Sequence, residues 1–297
     1  MKKVLILMAT YNGAKYLDEQ IQSLIEQKNV QVDILVRDDG STDNTIEVLN
    51  KWKEQNKLEW YKGKHLNVQF GFYDLMERAR TRDVDYLAFC DQDDVWDCDK
   101  LVIAINKLEK CNSKPAVYAS NTRLVDANLT FLKCEDDNPK TTLGSAFVKN
   151  YCTGCTMVFN KQLMKYLKNN LPEYAPMHDW WVNLVCLSIG GVSLYDQKPH
   201  MNYRQHGNNV LGAEKNPILK AQNRWSKFRN ESYHRDIMAK ELANKYSTVM
   251  TRETLEVVNV LGDEKRRLIN IIKNKCIKTG CLSVDFLFII LVIFKKI

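Results

Sequence analysis

Three clusters of polar residues in this 297-residue chain have the types and spacing to hold a charged ligand. The first is Thr10-Tyr11-Asn12-Gly13, the second Asp38-Asp39-Gly40-Ser41-Thr42-Asp43, and the third Asp91-Gln92-Asp93-Asp94. Each follows a short apolar run. One acidic pair in such a place is explained by a turn and a helix cap. Carboxylates behind two separate runs are harder to explain so, because their charges repel unless a cation sits between them. Mg²⁺ or Mn²⁺ would supply that charge, with phosphate oxygens completing the shell. No G-x-G-x-x-G follows the first run and no G-x-x-x-x-G-K-[ST] occurs. A dinucleotide cofactor and a P-loop nucleotide site are therefore disfavoured.

The elements that must position these clusters alternate. Residues 4–9, 33–37, 85–90, 116–120 and 192–195 read as short, largely apolar strands, and 14–27, 43–54, 72–82 and 99–110 as helices. This pattern predicts an α/β fold with a mainly parallel sheet, flanked by helices and joined by right-handed crossovers. Ligands of such sheets bind beyond the carboxyl ends of the strands, where all three clusters fall. After residue 212 the strand signals stop, and helical patterns run over 218–250 and 253–275. An apolar run, 286–294, follows with Lys295 and Lys296 behind it. It is shorter than the roughly 20 residues a membrane-spanning helix needs. Two placements stand open for it: lying in a membrane interface, or packing on the α/β domain or a partner chain.

The formal net charge of +7 is unevenly placed. Residues 214–280 carry 15 Lys and Arg against 8 Asp and Glu, whereas residues 1–213 carry 26 against 27. A basic C-terminal third suits nucleic acid or an anionic membrane surface. The nine cysteines are scattered and odd in number, which argues against a disulfide framework; Cys152 and Cys155 are read as packing residues. The first apolar run is too short for a signal peptide, so an unexported, cytoplasmic chain is expected.

Thr10-Tyr11-Asn12-Gly13, Val36-Arg37-Asp38-Asp39-Gly40-Ser41-Thr42-Asp43 and Asp91-Gln92-Asp93-Asp94-Val95-Trp96 resemble the family 2 glycosyltransferases with the GT-A fold, a Rossmann-like architecture. Gly154-Cys155-Thr156-Met157, His178-Asp179-Trp180-Trp181 and Tyr203-Arg204-Gln205-His206-Gly207-Asn208-Asn209 look like the bacterial rhamnosyltransferase-type branch, which builds cell-wall and capsular polysaccharides. The resemblance covers residues 3–212. It implies a catalytic domain over 1–212, which leaves the basic helical extension over 213–297, ending in a short apolar segment expected to associate with a membrane. It also implies roles. Tyr11 and Asp39 would hold the nucleotide base of a nucleotide-sugar donor, with Thr10, Asn12, Asp38, Asp91 and Arg204 completing the donor site. Asp91, Asp93 and His206 would hold Mg²⁺ or Mn²⁺. Asp179 would be the base that takes the acceptor proton in an inverting displacement. Trp96, Gly154, Cys155, Trp180 and Trp181 would meet the acceptor. The branch suggests dTDP-rhamnose as donor, with UDP-hexose and UDP-N-acetylhexosamine donors open. The acceptor is expected to be a lipid-linked glycan at the inner face of the membrane, with no nucleic-acid partner.

Plainer readings exist for several of these residues. Asp94 reads as loop support, and His178 as a structural histidine. The three tryptophans could be core residues, although aromatic rings also stack on sugars. Asp179 reads as an N-cap for an apolar helix over 181–189, a role compatible with catalysis because a helix start holds a carboxylate ionised. Two rival functions compete with transfer. A nucleotidyltransferase would show a glycine-rich basic loop where Tyr11-Asn12-Gly13 stands. A non-enzymatic membrane or nucleic-acid module would leave the acidic strand ends unexplained.

Overall fold

Strand β1 (Lys2–Thr10) buries Val4, Ile6 and Met8 on one face and Leu5 and Leu7 on the other. A strand buried on both faces belongs inside a covered sheet. Accordingly, β1 lies between β2 (Val30–Asp38) and β4 (Tyr86–Cys90), parallel to both. The computed structural model describes residues 1–135, 137–168, 170–174, 177–206, 234–263, 267–274 and 276–294. Its main sheet has seven strands in the order β10 (Val192–Asp196), β6 (Ala116–Ser120), β9 (Val158–Asn160), β4, β1, β2, β3 (Glu59–Lys62). Only β9 runs antiparallel to its neighbours.

Helices α1 (Ala14–Ile25), α2 (Thr45–Glu54) and α4 (Lys100–Leu108) cover one face, placing Leu17, Ile21, Leu49, Leu101 and Ile105 over Val4, Ile6 and Met8. On the other face α3 (Val68–Ala79) and α7 (His178–Ser188) bring Phe72, Leu75, Trp181 and Val185 over Leu5, Leu7 and Phe89. Two short helices, α5 (Leu143–Val148) and α6 (Lys161–Leu167), start at Thr142 and Asn160, whose side chains accept from the backbone N–H of Ser145 and Leu163. A second sheet, ordered β5 (Val95–Trp96), β11 (Met201–Arg204), β7 (Arg123–Val125), β8 (Phe131–Cys134), sits at the carboxyl end of β4. Pairing of Met201 with Trp96 and Asn202 with Val95 carries the chain after β11 back to the acidic loop at 91–94.

Beyond residue 233 the expected helical patterns break into α8 (Arg235–Tyr246), α9 (Arg252–Gly262) and α10 (Arg267–Lys273). The apolar run forms α11 (Leu282–Ile293). Met238, Leu242, Tyr246, Val257, Leu261, Phe288 and Val292 join the core beneath α3 and α7. Helix α11 therefore packs inward through Phe288 and Val292. Its other side leaves Leu282 86% and Phe286 66% exposed, with Leu287, Ile293 and Phe294 also open to solvent. No helix among the described residues is long and apolar enough to cross a membrane. The expected boundary at 212, the Gly207-Asn208-Asn209 end of the last motif, and Lys295 and Lys296 lie outside the described residues. All nine cysteines are free thiols, with Cys152 and Cys155 buried.

Candidate active site

Parallel strands deliver their carboxyl ends to one edge. In register, Thr10 lies beside Asp38 and Met8 beside Cys90, so Tyr11, Asp39 and Asp91 emerge next to one another. There they border a cavity of 540 Å³, which also takes in Thr10, Gln92, Asp93, Gly154, His178 and Asp179. The rest of its wall is Ala9, the 65–69 segment, Phe72, Thr153, Met177 and Tyr203.

Gln92 ties the first cluster to the third. Its Oε1 accepts from Thr10 Oγ1 at 2.6 Å and from Tyr11 N at 2.9 Å, and its Nε2 donates to Tyr11 O at 3.2 Å. The Tyr11 ring, 44% exposed, stands 4.7 Å from the His65 ring, leaving an aromatic face at the cavity mouth. Asp39 receives a hydrogen bond and ion pair from Arg37, a buried guanidinium that also donates to Asp74 Oδ2 at 2.9 Å and Lys64 O at 2.7 Å. Two expected donor residues stand behind the wall instead of in it. Asn12 Oδ1 accepts from Thr42 N at 2.8 Å, while Asp38 accepts from the N–H groups of Gly40 and Ser41 at 3.0 Å each. Both build the loops, because such turns leave backbone N–H groups that short polar side chains satisfy. Gly40, at φ +90°, completes the second turn.

Carboxylates crowd the cavity floor. Burial, together with the negative charges of Asp93 and Asp179, pushes Asp91 up to about 7. Burial likewise lifts Asp94 well above the carboxylate range, with Asp91 and Asp93 adding to the rise. Asp94 Oδ1 accepts from Arg204 N at 3.2 Å, and its buried Oδ2 has no hydrogen-bond partner among the described residues. Cys155 approaches from below, so that one ligand atom each of Asp91, Asp94 and Cys155 lie within 4.8 Å of one another. Beneath them Lys100 is fully buried, donates to Cys155 O at 3.0 Å and rests 3.1 Å over the Trp96 ring. Burial pulls its amine down to about 7.

Two residues beyond β11, His206 Nε2 comes within 2.7 Å of Asp93 Oδ2 while its ring stacks on Tyr16. Three of the carboxylates repel one another, and a nitrogen ligand reaches the outermost. An oxygen-rich set of this kind would suit a divalent cation of the Mg²⁺ or Mn²⁺ type; the ligand atoms that lie together are those of Asp91, Asp94 and Cys155, with Asp93 and His206 forming a pair of their own. Arg204, expected at a phosphate, does not line the cavity. Its guanidinium is buried and donates to Asp93 O at 2.7 Å, Ala127 O at 2.6 Å and Glu19 Oε2 at 2.5 Å, bracing the loop that carries Asp93.

Asp179 lies in the first turn of α7. The helix starts at His178, not at 181 as expected, and Met177 occupies the cap position. The carboxylate still serves the helix start: it accepts from Trp180 N at 2.6 Å, Gly154 N at 2.9 Å and Asn150 Nδ2 at 3.1 Å. Burial outweighs these bonds and raises it to about 6. Of the residues expected to meet an acceptor, only Gly154 reaches the cavity. Trp96, Cys155, Trp180 and Trp181 are buried, and Trp180 Nε1 donates to Ala146 O at 2.7 Å. Large apolar rings beside a polar motif went to the core because burial of their area outweighs any surface role. Sequence reading passed over Gln92, Arg37, His65 and Lys100. Arg37 and Lys100 carried a signal, being charges at the edge of apolar runs, which need partners where they are buried.

A mainly parallel sheet with carboxylates at two strand ends and a further one on a helix start is the architecture of the GT-A glycosyltransferases. The chain belongs to glycosyltransferase family 2: residues 5–167 match the family described as Glycosyl transferase family 2. It is 33% identical over 251 residues to the dTDP-rhamnosyl transferase RfbG of Shigella flexneri, covering 77% of this chain and 82% of that one. It is 23% identical over 241 residues (80% and 91%) to WfaP of Escherichia coli, described as a UDP-Glc:alpha-D-GlcNAc-diphosphoundecaprenol beta-1,3-glucosyltransferase. Among solved structures, S. aureus TarS 1-349 with UDP-GlcNAc superposes with a TM-score of 0.55 at 17% identity, covering 98% of this chain and 90% of that one. The mannosyltransferase PcManGT of Pyrobaculum calidifontis, in complex with GDP-Man and Mn²⁺, gives 0.52 at 13% (99% and 88%). At these identities the likeness is one of fold.

Proposed function

We propose that the protein transfers rhamnose from dTDP-rhamnose to a hydroxyl of a growing, lipid-linked cell-surface polysaccharide, with inversion at the anomeric carbon. One observation carries the chemistry: Asp39, Asp91, Asp93 and Asp179, from three distant segments, line a single cavity. The identity to a dTDP-rhamnosyl transferase over most of both chains supports the donor.

In this reading Tyr11 stacks on the thymine and Asp39, oriented by Arg37, accepts from its ring N–H. Gln92 keeps the Tyr11 backbone in place. Asp93, His206 and Asp91 would hold a divalent cation, which when bound would supply Lewis acidity to the leaving diphosphate. Asp179 accepts the proton of the acceptor hydroxyl as the oxygen bonds to the anomeric carbon; the carbon–phosphate-oxygen bond breaks and its electron pair leaves with the diphosphate. A base near pH 6 is ionised at neutrality, and its proton affinity is close to the working pH, where general-base catalysis is most effective.

The outer face of α11 supports the placement at the inner membrane surface. Leu282, Phe286 and Ile293 of α11, at helical spacing, are exposed, as are Ile269 and Ile272 of α10 and Lys273 and Lys278, which lie between the two groups in sequence. Apolar residues edged by lysines fit an anionic bilayer surface, where a lipid-linked acceptor resides. A second donor class, UDP-hexoses, is favoured by the similarity to WfaP. Mass-spectrometric screening of dTDP-rhamnose, UDP-glucose, UDP-galactose and UDP-N-acetylglucosamine with Mn²⁺ separates the two. Preferred consumption of dTDP-rhamnose supports the proposal; preference for a UDP-sugar replaces its donor. Inertness toward all four defeats it.

A further inference from the structure

His178 lines the cavity yet is only 2% exposed. Its ring stacks on Phe72 at 3.8 Å and meets the edge of Phe89 at 4.7 Å. Neither Nδ1 nor Nε2 has a hydrogen-bond partner among the described residues. A phenylalanine would fill the same aromatic slot without two buried polar atoms, whose unsatisfied state lowers stability. A buried polar side chain that the fold leaves unpaired calls for an explanation, and one that lines a cavity can be completed by a bound ligand.

Gly154 packs against both His178 and Asp179. A β-carbon on Gly154 would stand 2.9 Å from His178 Nε2 and 3.5 Å from Asp179 Oδ2. The missing side chain therefore lets the Gly154 backbone approach both groups closely, on the wall of the cavity that all three residues line. Its backbone N–H meanwhile fixes Asp179 Oδ2 at 2.9 Å. Burial holds the imidazole neutral, pushed down to about 3, so it offers one N–H donor and one lone pair. A phosphate is a poor match for a neutral ring among carboxylates. A hydroxyl both donates and accepts, and matches either nitrogen.

We propose that His178 is a substrate-binding residue whose Nε2 hydrogen-bonds the acceptor hydroxyl that Asp179 deprotonates. The ring gains and loses no proton in the transfer; it fixes the hydroxyl oxygen while Asp179 takes the hydrogen. The inference rests on the functional reading given above.

The test compares wild type with His178→Phe, His178→Gln and His178→Met, using dTDP-rhamnose and Mn²⁺. Release of dTDP is measured in water alone and with octyl glycosides as acceptors, alongside dTDP affinity and thermal melting. His178→Phe is expected to melt no lower than wild type and to bind dTDP with unchanged Kd. Its turnover should fall about tenfold to a hundredfold, the effect of leaving one hydroxyl unpaired. His178→Gln, which keeps a polar group at similar reach, should be several-fold more active than the equally long His178→Met. Wild-type turnover in His178→Phe overturns the proposal and leaves a packing histidine. Should His178→Phe fail to fold, equal activity of the Gln and Met variants overturns it just as well. Inertness of the wild-type protein toward every nucleotide sugar instead defeats the functional reading itself, a result distinct from an active enzyme indifferent to position 178.

Discussion

Asp179→Asn separates the base chemistry proposed for this carboxylate from its part in the fold. The carboxyl rises from 3.8 to about 6 in the folded protein because it is buried. With the folded value above the unfolded one, the native state holds its proton more tightly. Stability from this group therefore falls as pH rises from about 4 to 6, and at neutrality the deficit is about 3 kcal/mol. Asparagine carries no charge to bury and removes that deficit. Against it, the carboxylate accepts from Trp180 N, Gly154 N and Asn150 Nδ2, and an amide must turn its NH₂ toward at least one of these donors. An opposed donor of this kind costs about 1–3 kcal/mol. The two effects nearly offset, so the variant should melt within a few degrees of wild type. Turnover is another matter, since loss of general-base assistance removes about 10²–10⁴-fold. Transfer from the preferred donor should also rise with pH through about 6 in wild type and lose that limb in the variant. An intact Asp179→Asn protein retaining more than about a tenth of wild-type turnover would refute the assignment.

Four further outcomes follow from the same geometry. Gly154→Ala drives a β-carbon against His178, whose ring is backed by Phe72, so kcat should drop by about tenfold or more with dTDP affinity nearly unchanged; steady-state kinetics and calorimetry check this. Arg204→Met strips the donors from Asp93 O and Ala127 O and the partner from Glu19, and should destabilise by about 3 kcal/mol in chemical denaturation while raising the donor KM. Chelation with EDTA should abolish transfer and added Mn²⁺ or Mg²⁺ restore it, with dTDP binding weakened in parallel. The Phe286→Glu/Ile293→Glu pair should abolish flotation with anionic vesicles yet leave transfer to octyl glycosides intact, because both side chains face away from the core.

Much of the fold was legible because its central strands are long and fully covered. Residues 4–9 and 33–37 fall inside β1 and β2, and 116–120 coincides with β6. The four strands of the second sheet, and β9 of the first, have two to four residues each, too few for a periodicity of two to show. Strand β3 reads Glu-Trp-Tyr-Lys and lies at an edge, so it lacks an apolar signal. In the site, the acidic strand ends stood out because like charges at the ends of apolar runs require an explanation. What could not be read was which neighbour faces the cavity. Asp38 and Asp39 are adjacent in sequence, yet the former makes the turn and the latter the wall. The tryptophans after Asp179 misled because a helix start places consecutive residues on different sides, and α7 is buried along its entire length.

The most direct measurement is diffraction from crystals grown with dTDP and Mn²⁺, using the anomalous signal of manganese to locate the ion. The account predicts the metal on Asp93 with His206 or Asp91, thymine against Tyr11 and Asp39, and Asp179 free to reach an acceptor in the same cavity. Manganese or nucleotide bound at a place that none of these carboxylates touches would contradict it.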